Sequence, residues 1–532
     1  MIKRKIAVYL KKAVKIKDFE MEVFIPEKDD FGHYSTNVAL KLAKLSQQSP
    51  MLIAEEIKNA LSLVIAKDFF QKIEVAKPGF INFWISKKVL QSELKEILKK
   101  KEKYGAENKK KEKIQVEFIS ANPTGPLTLA NGRGGFFGDV LSNILEFCGY
   151  KVEREYYVND TGNQILTLGK SILANAGIID SEENFYKGSY VKNWAKKNSA
   201  IIKKYKNNSL KLGQAAAKDF LKNIKQAVQK KSGIKFDRFT SEEKDIHQKS
   251  FIKKALKIFK SKKLTYEKDG ALWLQTTKFG DEKDRVLITK DGFPTYFLAD
   301  SGHFLETKTR GFKNKIMILG PDHHGYVRRA KAAAEILGLK NLQIIITQAM
   351  RLVKGGEEVK MSKRRGEFIT FEELIKEVGA DAARFFFLVH SADTHMDFDI
   401  DLARERSMKN PVYYVQYAAV RVNSIIKKLS NIKHQASRVD LGLLNTKEDL
   451  DLMRLLVCFP EAIESSAQSR NPQILARYSL DLARQFHNFY EKERIIGVQN
   501  DLVLARMELI KATQIIFKNL FSLLGINLPK KM

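Results

Sequence analysis

Two lysines on a short polar loop suit a phosphate chain that gains negative charge as it leaves, because fixed cations stabilise charge that develops during reaction. The run Lys360-Met361-Ser362-Lys363-Arg364 has that make-up. In so lysine-rich a chain the pair alone means little, and its setting gives it weight. A strand pattern and a Gly355-Gly356 turn precede it, and Thr370-x-x-Glu373, a capping box that starts a helix, follows it. A second candidate lies in residues 114–150. The alternation Ile114-Gln115-Val116-Glu117-Phe118 predicts a strand and Asn122-Pro123-Thr124-Gly125-Pro126 predicts a turn. Gly132, Gly134, Gly135 and Gly138 then open a helix with apolar residues at Phe136, Val140, Leu141, Ile144, Leu145 and Cys148. Strand, Gly-rich turn and helix N-terminus offer free N–H groups to a phosphate. The same glycines would also serve close helix–sheet packing, and the sequence leaves both readings open. The run is neither a GxGxxG fingerprint nor a Walker loop, since no Gly-Lys-Ser/Thr follows.

Two further sites have chemical potential. A buried strand at 315–319 ends in Gly320-Pro321-Asp322-His323-His324-Gly325-Tyr326. Loops beyond the carboxyl ends of parallel strands hold ligands, so this one suits a nucleotide ribose. A metal cluster at Asp322, His323 and His324 is the weaker reading, because adjacent histidines rarely bind one ion together. Tyr296 and Asp300 are spaced i, i+4 on a predicted helix and share one face. Taken alone, Asp300 reads better as an exposed helix carboxylate.

These residues need elements to position them, and the chain is long enough to supply several domains. At 532 residues it exceeds one ordinary domain, and 44% hydrophobic content excludes wholesale disorder. Net charge is +31 with a pI near 9.7, which favours a polyanionic partner, although a lysine-rich proteome would produce the same bias. Two cysteines, neither in a CxxC or His/Cys cluster, argue against a structural metal and for core-filling thiols in a reducing compartment. No run nears the roughly 18 apolar residues of a membrane span, and lysines at 11, 12, 15 and 17 interrupt any secretory core. The expectation is a cytoplasmic protein with no membrane partner.

In chain order, residues 1–106 read as a small α/β module. Ser35-Thr36 is a candidate helix cap, and Lys77-Pro78-Gly79 joins two strands, the second ending Phe80-Ile81-Asn82-Phe83-Trp84-Ile85. From 107 strands and helices alternate as a parallel sheet requires, with a long, helical, lysine-rich stretch at about 164–260. From 409 the pattern is helical to the end. Tyr413, Tyr414, Tyr417, Phe486, Phe489 and Tyr490 lie there, mostly at core spacing, though any of them could stack on an unpaired base.

Residues 120–141, SANPTGPLTLANGRGGFFGDVL, resemble the first signature of bacterial arginyl-tRNA synthetases, which belong to the class I aminoacyl-tRNA synthetases. The resemblance continues through KGGEEVKMSKRRGEFITFEELIKEVGADAARFFFL at 354–388 and spans nearly the whole chain. DDFGHYSTNVALKLAK and KPGFINFWIS are similar to the family's N-terminal tRNA-binding domain; NPVYYVQYAAVRV and LARQFHNFYEKERI are similar to its helical anticodon-binding domain. The resemblance implies an α/β fold with a Rossmann-type catalytic domain. It would be flanked by a small N-terminal α/β domain and an all-α C-terminal domain, with boundaries at 1–106, 107–408 and 409–532.

The implied activity is protein biosynthesis chemistry: arginine is activated by ATP and passed to the terminal 2′-hydroxyl of tRNA(Arg), by a monomer, with Mg²⁺ on the phosphates. Lys360, Lys363, Thr128 and Asn131 would be catalytic. Glu117, Ser120, Asn122, Tyr296 and Asp300 would hold arginine, whose guanidinium pairs best with a bidentate carboxylate. Pro126, Thr128, Ala130, Asn131, Gly132, Gly320, Asp322, His323, Met361, Ser362 and Lys363 would bind ATP.

One departure stands out. The family has His-x-Gly-His where this chain has Thr128-Leu129-Ala130-Asn131. Thr128 and Asn131 can still donate hydrogen bonds, but without charge, and Ala130 adds a methyl group. Other class I enzymes carry Thr and Asn at these places. Two alternatives therefore stay open: a catalytically weakened tRNA-binding paralogue, or a class I synthetase for another amino acid.

Overall fold

A computed structural model describes residues 1–14, 21–26, 28–359, 369–429 and 439–532, so the run at 360–364 lies outside the described residues. The first four strands, β1 (Val23–Phe24), β2 (Tyr34–Thr36), β3 (Phe70–Ala76) and β4 (Phe80–Ile85), form an antiparallel sheet of order β1-β2-β4-β3. Its apolar face, including Ile81 and Phe83, is covered by the helices Ile2–Val14, Val38–Ser46 and Pro50–Val64. Thr36 belongs to β2 rather than to a helix start, because it pairs with Val23 on β1 and Ile81 on β4, and its hydroxyl donates to Glu22 O at 2.6 Å. The same oxygen accepts from Val38 N at 3.3 Å.

Beyond the helix Lys87–Lys100, which Ser86 caps, the chain enters β5 (Lys113–Glu117), β6 (Lys151–Val158) and β7 (Arg238–Ser241). A small antiparallel sheet, β8 (Thr265–Lys268), β9 (Ala271–Leu274) and β10 (Arg285–Ile288), precedes β11 (Asn314–Leu319) and β12 (Asn341–Ile346). The main sheet is wholly parallel with the order β12-β11-β5-β6-β7. Successive connections leave β5 in opposite directions, which makes the gap between β5 and β11 the switch point where such sheets bind ligands. β13 (Met350–Lys354) and β14 (Glu357–Glu358) form the hairpin expected at Gly355-Gly356, and β15 (Met396–Asp399) pairs parallel to β13.

The stretch at 164–260 is not all helical. Four helices between Asn163 and Lys225 enclose their own core, with Ile165, Leu168, Leu212 and Phe220 inside, but β7 then extends the main sheet. Only four residues long, Arg-Phe-Thr-Ser has too little alternation to register among lysine-rich helices. Its strand character comes from pairing with β6.

The C-terminal part is helical, as the periodicity predicted: Pro411–Leu429, Lys447–Val457, Phe459–Ser469, Gln473–Lys492 and Asn500–Leu524. Phe486 and Phe489 are buried in that bundle, while Tyr417 and Tyr490 flank the Arg421 guanidinium at 5.2 and 4.9 Å. One apolar cluster runs from the N-terminal sheet through the main sheet into this bundle. Among the described residues no helix is long and apolar enough to cross a membrane.

Candidate active site

The helix Leu129–Phe147 leaves the carboxyl end of β5 by way of a strained turn. Ile119 and Ser120 adopt φ of 65° and 39°, a left-handed region that a β-branched residue such as Ile119 seldom occupies. The turn aims Ser120 Oγ at β6, where it accepts from Tyr157 N at 3.0 Å. At the helix start Thr128 N and Thr128 Oγ1 both donate to Asn131 Oδ1 at 2.9 Å. That fixes the Asn131 amide so that its oxygen faces Thr128 and its NH₂ remains as a donor. Phe371 N donates to Leu127 O at 2.9 Å, so the helix Phe371–Val378, opened by the Thr370/Glu373 capping box, docks on this turn.

A cavity of about 720 Å³ occupies the switch point. Glu117, Ser120, Asn122, Pro126, Thr128, Ala130 and Asn131 line it from the first half of the sheet. Tyr296, Asp300, Gly320, Asp322 and His323 line it from the second. A Cβ on Gly320 would meet only the tip of the exposed Asp322 carboxylate, at 2.9 Å. Gly132 is the exception among the sequence candidates described. It is buried away from the wall, and a Cβ on it would sit 2.4 Å from the Phe371 ring. Its missing side chain makes room for that helix. Lys360, Met361, Ser362 and Lys363 lie outside the described residues.

The floor is acidic. The helix Tyr296–Thr309, capped by Thr295, brings Tyr296 and Asp300 to the cavity one turn apart, Tyr296 57% exposed at the mouth. Burial, aided by Glu242 and Glu117, pushes the Asp300 carboxyl up to about 7 against a hydrogen bond from Tyr326. Glu242 sits just beyond β7 and is 5% exposed; Asn159, with its amide turned to suit the network, donates to its Oε2 at 3.2 Å. The Tyr157 phenol is buried, stacks on His303 at 4.2 Å, and is held well above its ordinary pKa by burial. Sequence reasoning did not single out Glu242, Tyr157 or Tyr326. One signal was available for Glu242: Ser241 followed by three acids within four residues reads as a helix start, and Ser241 Oγ does accept from Lys244 N at 3.1 Å.

Behind the wall, Glu155 and His303 bring ligand atoms within 4.8 Å of each other and of Glu117, the one metal-like group among the described residues. Lys315 Nζ stands in their midst, 2.8 Å from Glu117 Oε2, 3.0 Å from Glu155 Oε2 and 3.4 Å from His303 Nε2. An ammonium thus fills the place a metal would take.

This cavity can hold a nucleotide beside a cationic small molecule, and the wider family of the chain agrees. The family described as "tRNA synthetases class I (R), catalytic domain" matches residues 93–404. "Arginyl tRNA synthetase N terminal domain" matches 1–85 and "DALR anticodon binding domain" matches 415–532. The arginine–tRNA ligase of Carboxydothermus hydrogenoformans is 40% identical over 97% of this chain and 94% of its own length. That of Shouchella clausii is 40% identical over 95% and 93%. The fold is that of the Thermus thermophilus arginyl-tRNA synthetase, with a TM-score of 0.81 and 20% identity over all of both chains.

Proposed function

The chain belongs to the class I arginyl-tRNA synthetases, and from that membership we propose how its residues divide the work of activating arginine and loading it onto tRNA(Arg). The activity is that of an arginine–tRNA ligase. In the first step the arginine carboxylate attacks the α-phosphorus of ATP in line, the bond to the bridging oxygen breaks, and pyrophosphate leaves arginyl-adenylate behind. In the second the 2′-hydroxyl of the terminal adenosine attacks the activated carbonyl carbon, and AMP departs with the electron pair of the broken bond.

The acidic floor carries the substrate assignment. A guanidinium presents planar paired N–H donors, for which buried carboxylates are the matching acceptors. Asp300 is the principal partner, with Glu242 and Glu117 near enough to raise its pKa and so to share the positive charge of arginine. Tyr296 covers the pocket, and Ser120 and Asn122, the latter donating to Gln164 Oε1 at 2.5 Å, bound the end that takes the α-amino group. ATP takes the other part of the cavity. Pro126, Ala130 and the amide NH₂ of Asn131 meet it at the helix N-terminus, and Gly320, Asp322 and His323 meet its ribose. Gly132 serves packing instead. Lys360 and Lys363, with Met361 and Ser362, supply the charge that pyrophosphate needs as it leaves.

Mg²⁺ is assigned to the phosphates of ATP rather than to a protein cage, a reading supported by Lys315 filling the metal-like cluster. The net charge of +31 supports tRNA spread along the surface, with the N-terminal domain and the C-terminal bundle at its two ends. A monomer at work belongs to the same reading, and ATP and tRNA as substrates fit a cytoplasmic place of work.

The test is pyrophosphate exchange with each amino acid in turn, with and without bulk tRNA. Exchange with arginine alone, and only when tRNA is present, is the expected result. Exchange with a different amino acid would reassign the floor. No exchange at all, with tRNA binding intact, would mean that Thr128 and Asn131 have cost the chain its chemistry.

A further inference from the structure

Lys315 is fully buried, and unlike its neighbours Met317, Ile318 and Leu319 on β11 it takes no part in the cavity wall. Register explains where its side chain goes. Lys315 pairs with Gln115 on β5, and Glu117 pairs with Glu155 on β6, so all four side chains emerge on one face of three neighbouring strands, under the helix Tyr296–Thr309. The ammonium has three N–H groups and three oxygens around it: Gln115 Oε1 at 2.6 Å, Glu155 Oε2 at 3.0 Å and Glu117 Oε2 at 2.8 Å. The last approach is close but poorly aligned, and Glu117 Oε2 accepts no well-directed hydrogen bond. Burial opposes the charge on Lys315, yet Glu117 and Glu155 outweigh it and the ammonium is held above its ordinary pKa.

The two carboxylates do not depend on Lys315 equally. Glu155 also lies 3.2 Å from Arg310 and 4.0 Å from Arg238, and it accepts from the Thr240 hydroxyl at 2.5 Å. Of the basic side chains among the described residues, Glu117 has within 4 Å only Lys315 and, at the limit, His303 Nδ1 at 4.0 Å. Taking away the ammonium therefore leaves Glu155 compensated and Glu117 bare.

We propose that Lys315 is a positioning residue for arginine: from behind the wall it compensates Glu117 and fixes the orientation in which that carboxylate meets the positively charged substrate. It never touches the substrate. The proposal rests on the assignment of Glu117 to the arginine pocket, and it predicts an effect on arginine that passes through Glu117 alone.

The experiment is a double-mutant cycle in the full chain: Lys315→Met, Glu117→Gln and both together, with KM for arginine and for ATP measured by tRNA-dependent pyrophosphate exchange. Lys315→Met is expected to raise the arginine KM about tenfold or more while the ATP KM holds. In the Glu117→Gln background the same change should add less than about twofold. An equal effect in both backgrounds, or a parallel loss of arginine and ATP affinity, would overturn the proposal, since a merely structural lysine would act on either. A Glu117→Gln variant with normal arginine KM would overturn the pocket assignment and the proposal together. If Lys315→Met fails to fold, Lys315→Gln, which keeps hydrogen-bonding capacity and removes only the charge, runs the same cycle with the same expected pattern.

Discussion

Asp300 must meet a guanidinium from a position that disfavours its own charge. With its pKa pushed up to about 7, much of it is protonated in the free protein near neutrality, and arginine must displace that proton to pair with it. Arginine affinity should accordingly improve as pH rises toward 7, by about tenfold per unit where the acid form dominates, and level off above. Asp300→Asn should flatten that profile and lower kcat/KM for arginine by roughly 10²–10³, from the loss of one partner of a buried charged pair. The ATP KM should not change. Arginine and ATP KM values from pH 6 to 8.5 decide the matter, and a variant profile that still bends near 7 would take the titration away from Asp300. Folding stability should move the opposite way. A carboxyl with a raised native pKa contributes stability below its unfolded value of 3.8 that is lost as pH climbs to about 7, so the amide should be relatively more stable at pH 8. Asp300 was legible through the family resemblance, and its i, i+4 spacing to Tyr296 added only that the two share one face of one helix. Glu242 had only the helix-start signal at Ser241 to mark it, and Lys315 had none, because its partners come from two strands and a helix far apart in sequence.

Elements with strong local signals were readable for the same reason. The β3–β4 connection, the Gly355-Gly356 hairpin, the Thr370/Glu373 box and the C-terminal helices are each specified within a few residues. β7 and β15 escaped because short strands owe their existence to the partner they pair with. Gly132 shows how an element-scale contact can imitate a ligand motif: it reads as part of a phosphate-binding turn, yet the ring of Phe371 occupies the space above it. Phe371 is itself fully buried at the start of the helix that follows residues 360–368. Gly132→Ala should force that ring aside at a cost of about 1–3 kcal/mol, and should raise the ATP KM by shifting the turn at Thr128. Phe371→Leu in the same chain should recover much of the loss. Thermal melts and ATP KM for the two single variants and the double give the answer; a silent Gly132→Ala would return the glycine to the phosphate-binding reading.

At the scale of the whole molecule, the N-terminal domain is bolted to the C-terminal bundle through one buried acid. Glu461, in the helix Phe459–Ser469, accepts from Lys3 N at 2.8 Å and from the Tyr34 hydroxyl at 2.9 Å, while Arg4 reaches Glu464 at 2.8 Å on the surface above. The surface pair is half exposed and contributes little. Glu461 is another matter, since burial, only partly offset by the Lys3 amide and the Tyr34 hydroxyl, pushes its pKa up to about 7. The sign follows from proton binding. Between the unfolded value of 4.5 and about 7 the folded chain holds a proton that the unfolded chain has released, so stability falls across that interval. The loss reaches about 3 kcal/mol and is constant above it. Glu461→Gln abolishes the titration, so the stability of the variant relative to the parent should climb from pH 4.5 to 7 and stay level from 7 to 8.5. Other acids titrate in both proteins and cancel in the difference. On the proposed placement of tRNA along the N-terminal domain and the C-terminal bundle, the same acid would tie tRNA binding to pH. Loosening of the junction above pH 7 should weaken tRNA affinity in the parent more than in the variant, at constant ionic strength. Urea melts and tRNA binding at pH 6 and 8 test both halves, and a stability difference that does not vary with pH would show that Glu461 is ionised in the fold and that the junction is held by a charge.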